Sequence, residues 1–405
     1  MPLFSIVVWA AIAVATTVSD NGGMQTFDQL EVRRPALARS YLRLLEAQPG
    51  RPIALFAPRR VGKTFFLERD LAPVAAAAGY LPVYADLWLQ KAAPLDAINH
   101  ALEEALDDTN VPASAVGKAA KTPVRKLGAL GASLELGEEP RRRALPASAE
   151  LRLGALVARL CTESKKRVLL MLDEVQSIGE HPAGTSIVAT LRAVLQKRKP
   201  GVLAVFTGSS QEALAAMMSA SGGPMYQFAQ VLDFPSLGDE YLELLGGHFA
   251  KVHQGKRLEL ADLRRVFDFI GHKPDLMKDL VKAMSAEGST DVQHALRRMV
   301  DDDRHVAGWR ALLASFTPFE RSLLTVVAHG RPPMGKETLA ALGETKGFDP
   351  TIAKVRAALE RLKRAGVLAR SGSMHVVEDR LFAEFLTSTA ATPSPAAGKV
   401  RRMRP

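Results

Sequence analysis

The feature that most limits what this chain can fold into is the apolar run Ile53-Ala54-Leu55-Phe56. It leads at once into Ala57-Pro58-Arg59-Arg60-Val61-Gly62-Lys63-Thr64 and then a helical pattern through Phe65, Phe66 and Leu67. A short run of this kind suits a strand buried on both faces of a parallel sheet. A glycine-containing loop between such a strand and a helix N-terminus gathers backbone N–H groups around one point, the arrangement that holds phosphate. The motif predicts a loop in which Pro58, Arg59, Arg60, Val61, Gly62, Lys63, Thr64 and Phe65 surround ATP. Lys63 reaches the β- and γ-phosphates, and the Thr64 hydroxyl ligates Mg2+. Ala57 stands where the pattern G-x-x-x-x-G-K-[ST] has its first glycine. Alanine is the smallest replacement and Gly62 is kept at the crowded position, so the expectation is an intact loop that binds nucleotide more weakly.

Three further apolar runs, Leu81 to Ala85, Val168 to Leu172 and Val202 to Phe206, are separated by helical patterns. That alternation predicts an α/β fold with a mostly parallel sheet. The run from Val168 ends in Asp173-Glu174, two carboxylates at the carboxyl edge of the sheet, where ligands of such folds bind. Asp173 would hold Mg2+ through its water shell, and Glu174 would act as general base toward the attacking water. Thr207-Gly208-Ser209-Ser210 follows the run from Val202. Ser209 is the candidate hydroxyl sensing the γ-phosphate, although a plain turn accounts for the same residues equally well. Asp86, at the end of another strand, reads as a structural acid near the site.

The segments P-R-R-V-G-K-T, L-D-E-V-Q and F-T-G-S-S, with Val376-Val377-Glu378-Asp379 and Phe382, resemble those of the prokaryotic, archaeal-type AAA ATPases. These are AAA+/STAND-like P-loop NTPases related to origin-recognition-type initiators, and the resemblance covers about residues 27 to 386. It implies a sensor strand between the phosphate-loop strand and the Asp-Glu strand, a helical lid and a C-terminal winged-helix domain. Gly271-His272-Lys273-Pro274 resembles the G-x-P segment with which the family's lid approaches the nucleotide. Arg192 and Arg198 are candidates for an arginine finger, and an ordinary amphipathic surface helix explains them equally well.

A chain of 405 residues suggests roughly two to three domains and can bury a core without disulfides or metal staples. The single cysteine, Cys161, excludes an internal disulfide and fits a reducing, cytoplasmic setting. The expected division is an apolar extension over 1–23, an ATPase core over 24–236 with an insertion at about 110–146, a lid over 237–300, a winged helix over 301–386 and a disordered basic tail over 387–405. Residues 4–18 are uncharged and apolar. The run is shorter than the about twenty residues of a membrane span and lacks the basic start of a signal peptide. It reads as sequence upstream of a start at Met24, with weak membrane attachment as the alternative. Asp301-Asp302-Asp303 reads as a solvated acidic turn, and neither the scattered histidines nor Cys161 has zinc-site spacing. No G-x-S-x-G elbow of a hydrolase is present.

A formal charge of +10 favours polyanionic partners. In the last block, Thr317-Pro318-Phe319-Glu320 predicts a capped helix start, Lys336 to Leu342 a second helix, and Asp349-Pro350 the start of a third. Lys354, Arg361 and Arg364 fall opposite the third helix's apolar face, and Val367 to Val377 alternates around Ser371-Gly372 like a wing with Arg370 near its tip. Double-stranded DNA is the candidate partner; the same domain serves protein contacts equally well. The readings that follow are an ATP-hydrolysing switch on DNA or a protein partner, a nucleotide-dependent scaffold with little turnover, and a regulator that uses the core for nucleotide-dependent self-association. A small-molecule kinase fits less well, since the Asp-Glu pair with a polar sensor favours water as acceptor.

Overall fold

The computed structural model describes residues 26–110, 144–209, 228–345, 347–371 and 374–390. The apolar segment 4–18, insertion residues 111–143, Ser210, Gly372 and the tail from 391 lie outside the described residues. Two compact units divide the chain: Glu31–Pro235, and Ser236 onward together with the stretch ending at Leu30.

The first unit is a five-stranded parallel sheet in the order β2-β3-β4-β1-β5, with β1 Ile53–Phe56, β2 Tyr80–Asp86, β3 Arg167–Asp173, β4 Val202–Gly208 and β5 Gln230–Asp233. The order sets β4, the expected sensor strand, between the phosphate-loop strand β1 and the Asp-Glu strand β3. Successive side chains point to opposite faces. Ile53 and Leu55 therefore join one core with Leu45, Phe66, Leu71 and Val205. Ala54 and Phe56 join the other with Leu102, Leu156, Leu170 and Leu191. Burial on both faces is why β1, β3 and β4 read as unbroken apolar runs.

Strand β5 was not legible in the sequence. It is an edge strand whose residues alternate between half-buried and exposed, so it carries no apolar run. Arg34, only 4% exposed, braces its end: Nη1 donates to the Pro235 carbonyl at 2.7 Å while the guanidinium lies over the Phe66 and Phe234 rings.

Ahead of β1 lie a 3-10 turn, Phe27–Gln29, and a separate helix, Pro35–Ala47, which begins where proline is tolerated at the first turn. The turn belongs to the second unit rather than to the core, because Phe27 packs edge-on against His248 and Asp28 pairs with Lys282 at 2.9 Å.

The second unit opens with helices Asp239–Val252, Leu260–Phe269, Pro274–Glu287 and Val292–Val300. The acidic triplet is more than a solvated turn: Asp302 caps helix Asp303–Ala314, accepting from the Arg304 N–H, and that arginine holds its carboxyl down at about 2. Helix Pro318–Ala328 starts with the expected capping box, Thr317 N–H to Glu320 at 2.8 Å and the reverse bond at 3.3 Å. Helices Lys336–Gly343 and Ile352–Arg364 follow, the latter capped by Thr351 rather than starting at Asp349. An antiparallel pair, β6 Leu368–Ser371 and β7 Met374–Val377, precedes the helix Arg380–Ala390, which runs past the expected limit at Leu386. No helix among the described residues is long and apolar enough to cross a membrane.

Phe66 is fully buried and packs edge-on against Tyr41 and Phe234. Phe66→Ala is expected to cost about 3–5 kcal/mol in denaturant unfolding, whereas Leu89→Ala, at a side chain 80% exposed, is expected to change stability by less than about 0.5 kcal/mol.

Candidate functional site

The loop after β1 turns sharply because two residues adopt left-handed backbone, Arg60 at φ 63° and Gly62 at φ 91°. A Cβ at Gly62 would meet nothing within 4 Å, so it is the backbone angle, not crowding by the chain, that calls for glycine. The helix that follows is built from Lys63–Phe65 and Ala72–Ala77 in α geometry with Phe66–Leu71 in π geometry between them. It begins with the Phe66 N–H donating to the Gly62 carbonyl at 3.0 Å. Lys63 is 5% exposed, and its ammonium donates to the carbonyls of Ala57 and Pro58, each at 2.8 Å, within the loop itself. Val61 is buried, Phe65 half-buried, and Pro58 and Arg60 exposed.

Asp173 is the centre of the site. It is 3% exposed, yet its carboxylate accepts from the Thr64 hydroxyl at 2.5 Å, the Tyr84 hydroxyl at 3.2 Å, the Glu174 N–H at 3.0 Å and the Thr207 hydroxyl. Burial and then the charge of Asp173 push the Tyr84 phenol far above its ordinary range, so it remains a donor there. Thr64 and Asp173 thus bring a hydroxyl and a carboxylate oxygen together. This pair fits Mg2+, a hard cation that takes few protein oxygens and keeps waters and phosphates as its other ligands. No group of three or more His, Cys, Asp or Glu side chains suited to a metal occurs among the described residues.

Glu174 lies beside this centre with left-handed backbone at φ 55°. Its Oε2 accepts from the Ser209 hydroxyl at 2.7 Å and from the Gln176 amide, which also donates to Ser209 at 3.1 Å. The Arg59 Nε donates to the same Ser209 oxygen at 3.3 Å, and its guanidinium lies 4.2 Å over the Trp88 ring. Ser209 therefore touches the Glu174 carboxylate, while Thr207 holds Asp173. Tyr84, Thr207 and Gln176 were not among the expected site residues. The signal for two of them lies in strand periodicity: Thr207 and Ser209 are two apart along one line, and Asp86 and Tyr84 register with Asp173 and Met171 on the neighbouring strand.

Other expected residues make contacts of their own. In the second unit Lys273 precedes helix Pro274–Glu287 and sits 4.0 Å from Asp379. Arg192 lies over the Phe228 ring, and Arg198 follows the helix Gly184–Lys197. Of the basic residues expected to meet DNA, Lys354 pairs with Asp349 at 2.7 Å, Arg361 pairs with the buried Glu320 at 3.3 Å, and Arg364 donates to the Glu360 carbonyl at 3.4 Å. Arg370 lies opposite His375 in the β6–β7 pair. Arg356, not singled out from the sequence, is exposed on the same helix as Lys354.

The strand order and the strand–loop–helix at its centre are those of a P-loop NTPase. A Walker-type ATPase of Pyrococcus abyssi is 15% identical over 86% of this chain and 94% of its own, with a TM-score of 0.55. The ORC2 protein of Aeropyrum pernix, solved as ADPNP–ADP complexes, is 18% identical over 88% of this chain and 93% of its own, with a TM-score of 0.48. The first of these likenesses shows the fold alone: it is one this chain shares with a Walker-type ATPase. No protein-family model matches the sequence, and no curated protein sequence matches it.

Asp86, opposite Asp173 in the sheet, has its carboxyl pushed up by burial, pulled down by the Trp88 N–H it accepts at 2.8 Å, and raised again by the charges of Asp173 and Glu174. A carboxyl raised in the folded state holds its proton where the unfolded chain has lost it, so stability falls as pH rises through the carboxylate range. Asp86→Asn removes that loss. Its melting temperature relative to the wild type is expected to climb between about pH 3 and pH 7; a difference that stays flat with pH would contradict a carboxyl raised by burial and its acidic neighbours.

Proposed function

We propose that this chain is a slow Mg2+-dependent ATPase, an AAA+/STAND-like switch that acts on DNA or a protein partner. One observation carries the reading: the Thr64 hydroxyl, 2.5 Å from the Asp173 carboxylate, closes the phosphate loop onto the end of β3, with Glu174 as the next residue. Lys63 would exchange its two carbonyl partners for the β- and γ-phosphates. Thr64 and Asp173 would hold Mg2+, which when bound neutralises charge on the phosphate oxygens. Glu174 would take the proton of the attacking water. Ser209 and Gln176 hold one oxygen of that carboxylate, which orients the base and leaves that oxygen engaged. An oxygen that must leave two hydrogen bonds before it can take a proton, together with Ala57 in the loop, supports slow turnover. The same two hydrogen bonds favour a second reading, a nucleotide-dependent scaffold or regulator that hardly hydrolyses.

Lys63→Ala is expected to abolish nucleotide binding by calorimetry. Glu174→Gln is expected to keep binding and to lose turnover by a factor of about 10² or more. Hydrolysis by Glu174→Gln at the wild-type rate would remove Glu174 as the base, and a wild type that binds ATP without detectable phosphate release would favour the scaffold.

We further propose that the block from Thr317 to Leu386 is a winged helix for duplex DNA, with helix Ile352–Arg364 as the recognition element and β6–β7 as the wing. The net charge of +10 and the basic residues Lys354, Arg356, Arg361, Arg364 and Arg370 support this. Lys354 and Arg361 remain more than half exposed within their ion pairs, so phosphates can compete for them. Duplex affinity is expected to fall steeply with salt, and neutralising Lys354, Arg361 and Arg364 together should flatten the log–log slope by about 0.9 for each DNA phosphate that the variant no longer neutralises. No mobility shift at low salt, with or without ATP, would leave protein contact as the role of this block.

A further inference from the structure

Arg59 is held in a way that loop position alone does not require. Its Nε donates to Ser209 at 3.3 Å, and the flat of its guanidinium lies 4.2 Å over Trp88. Trp88 is itself placed by its N–H on Asp86 at 2.8 Å, and the Lys91 ammonium lies 3.1 Å from its ring centre. One edge and one face of the guanidinium are thereby fixed, while its Nη1 and Nη2 groups make no hydrogen bond among the described residues. A guanidinium fixed this way has lost its rotamer freedom in advance and presents a rigid fork of donors, which suits the oxygens of a phosphate. Arg60, the next residue, is exposed and has no comparable support among the described residues.

Position narrows the ligand further. Arg59 belongs to the phosphate loop, and the Ser209 oxygen that receives its Nε lies 2.7 Å from Glu174. The guanidinium is thus on the side of the loop where the general base stands, the side from which water must approach the terminal phosphate. The Lys63 ammonium meets the Ala57 and Pro58 carbonyls just before Arg59, and Thr64 meets Asp173, the residue before Glu174.

We infer that Arg59 is a further catalytic residue, an arginine supplied within the same chain whose Nη groups bind the terminal phosphate of a nucleoside triphosphate. This rests on the ATPase reading above. The charge that develops on the terminal oxygens during transfer is what such an arginine stabilises. Because a diphosphate lacks that group, Arg59 distinguishes triphosphate from diphosphate. Ser209 links the recognition to the base, since the hydroxyl that receives the Arg59 Nε also donates to the Glu174 carboxylate.

The test compares the full chain with Arg59→Ala, Arg59→Lys and Trp88→Phe. Binding of a non-hydrolysable ATP analogue and of ADP is measured by calorimetry with Mg2+. Single-turnover phosphate release and tryptophan emission are followed in parallel. Arg59→Ala is expected to weaken the analogue by about tenfold or more while leaving ADP affinity unchanged, and to slow single-turnover release. Arg59→Lys keeps the charge without the fork and should recover only part of both losses. The analogue, and not ADP, should alter emission as phosphate charge reaches the guanidinium over the ring, and Trp88→Phe should abolish that change. Equal weakening of ADP and analogue by Arg59→Ala, or no weakening of either, would overturn the inference while the ATPase reading stands. A wild type that binds neither nucleotide, indistinguishable from Lys63→Ala, would overturn the ATPase reading and this inference with it.

Discussion

The carboxylate of Asp173 is the group around which the first unit is arranged. A charge only 3% exposed is tolerable in a protein interior only when hydrogen bonds replace the water it has lost. Four donors do so, and each comes from a different place: Tyr84 from β2, Thr64 from the helix after the phosphate loop, Thr207 from β4 and the backbone N–H of Glu174. Slipping β2 or β4 by one residue against β3 would turn Tyr84 or Thr207 to the other face and strand a buried charge. The register of three strands and the closure of the loop therefore stand or fall together.

Strand order gives this carboxylate its chemistry. With β4 between β1 and β3, the loop after β1 and the Asp-Glu end of β3 face each other across one strand, and the hydroxyls at the end of β4 fall between them. Thr207 goes to Asp173 and Ser209 to Glu174, so neighbouring acids are held by different hydroxyls of one strand end. Around Glu174 the polar network is not closed. The Gln176 Oε1 and the Ser177 hydroxyl are buried without a hydrogen-bond partner among the described residues, a cost that interiors seldom carry without function nearby.

In the second unit, local sequence signals and tertiary pairing work against each other on the same residues. Arg361 reads as an outward-facing cation on an amphipathic helix, and it is more than half exposed. It also reaches the Glu320 carboxylate that caps the helix Pro318–Ala328, so the residue proposed to meet phosphate also ties two helices together. Arg356, exposed on the same helix, was the quieter signal of the two.

What the sequence determined by itself is whatever rests on neighbours along the chain. The runs at β1, β3 and β4, the Gly62-Lys63-Thr64 turn, the Asp173-Glu174 strand end and the Thr317–Glu320 capping box are all set by patterns a few residues long. Burial on both faces, left-handed backbone and helix capping each leave a mark within that distance. Tertiary structure alone decided the rest. Strand β5 exists because β1 offers it an edge and Arg34 braces its end, not because Gln230–Asp233 is apolar. The turn at Phe27 joined the second unit because His248 and Lys282 supply its partners from more than two hundred residues away. Which hydroxyl serves which carboxylate, and that Arg59 rests on Trp88, depends on the register of parallel strands. Parallel pairing joins segments far apart in the chain, and no pattern local to either segment records it.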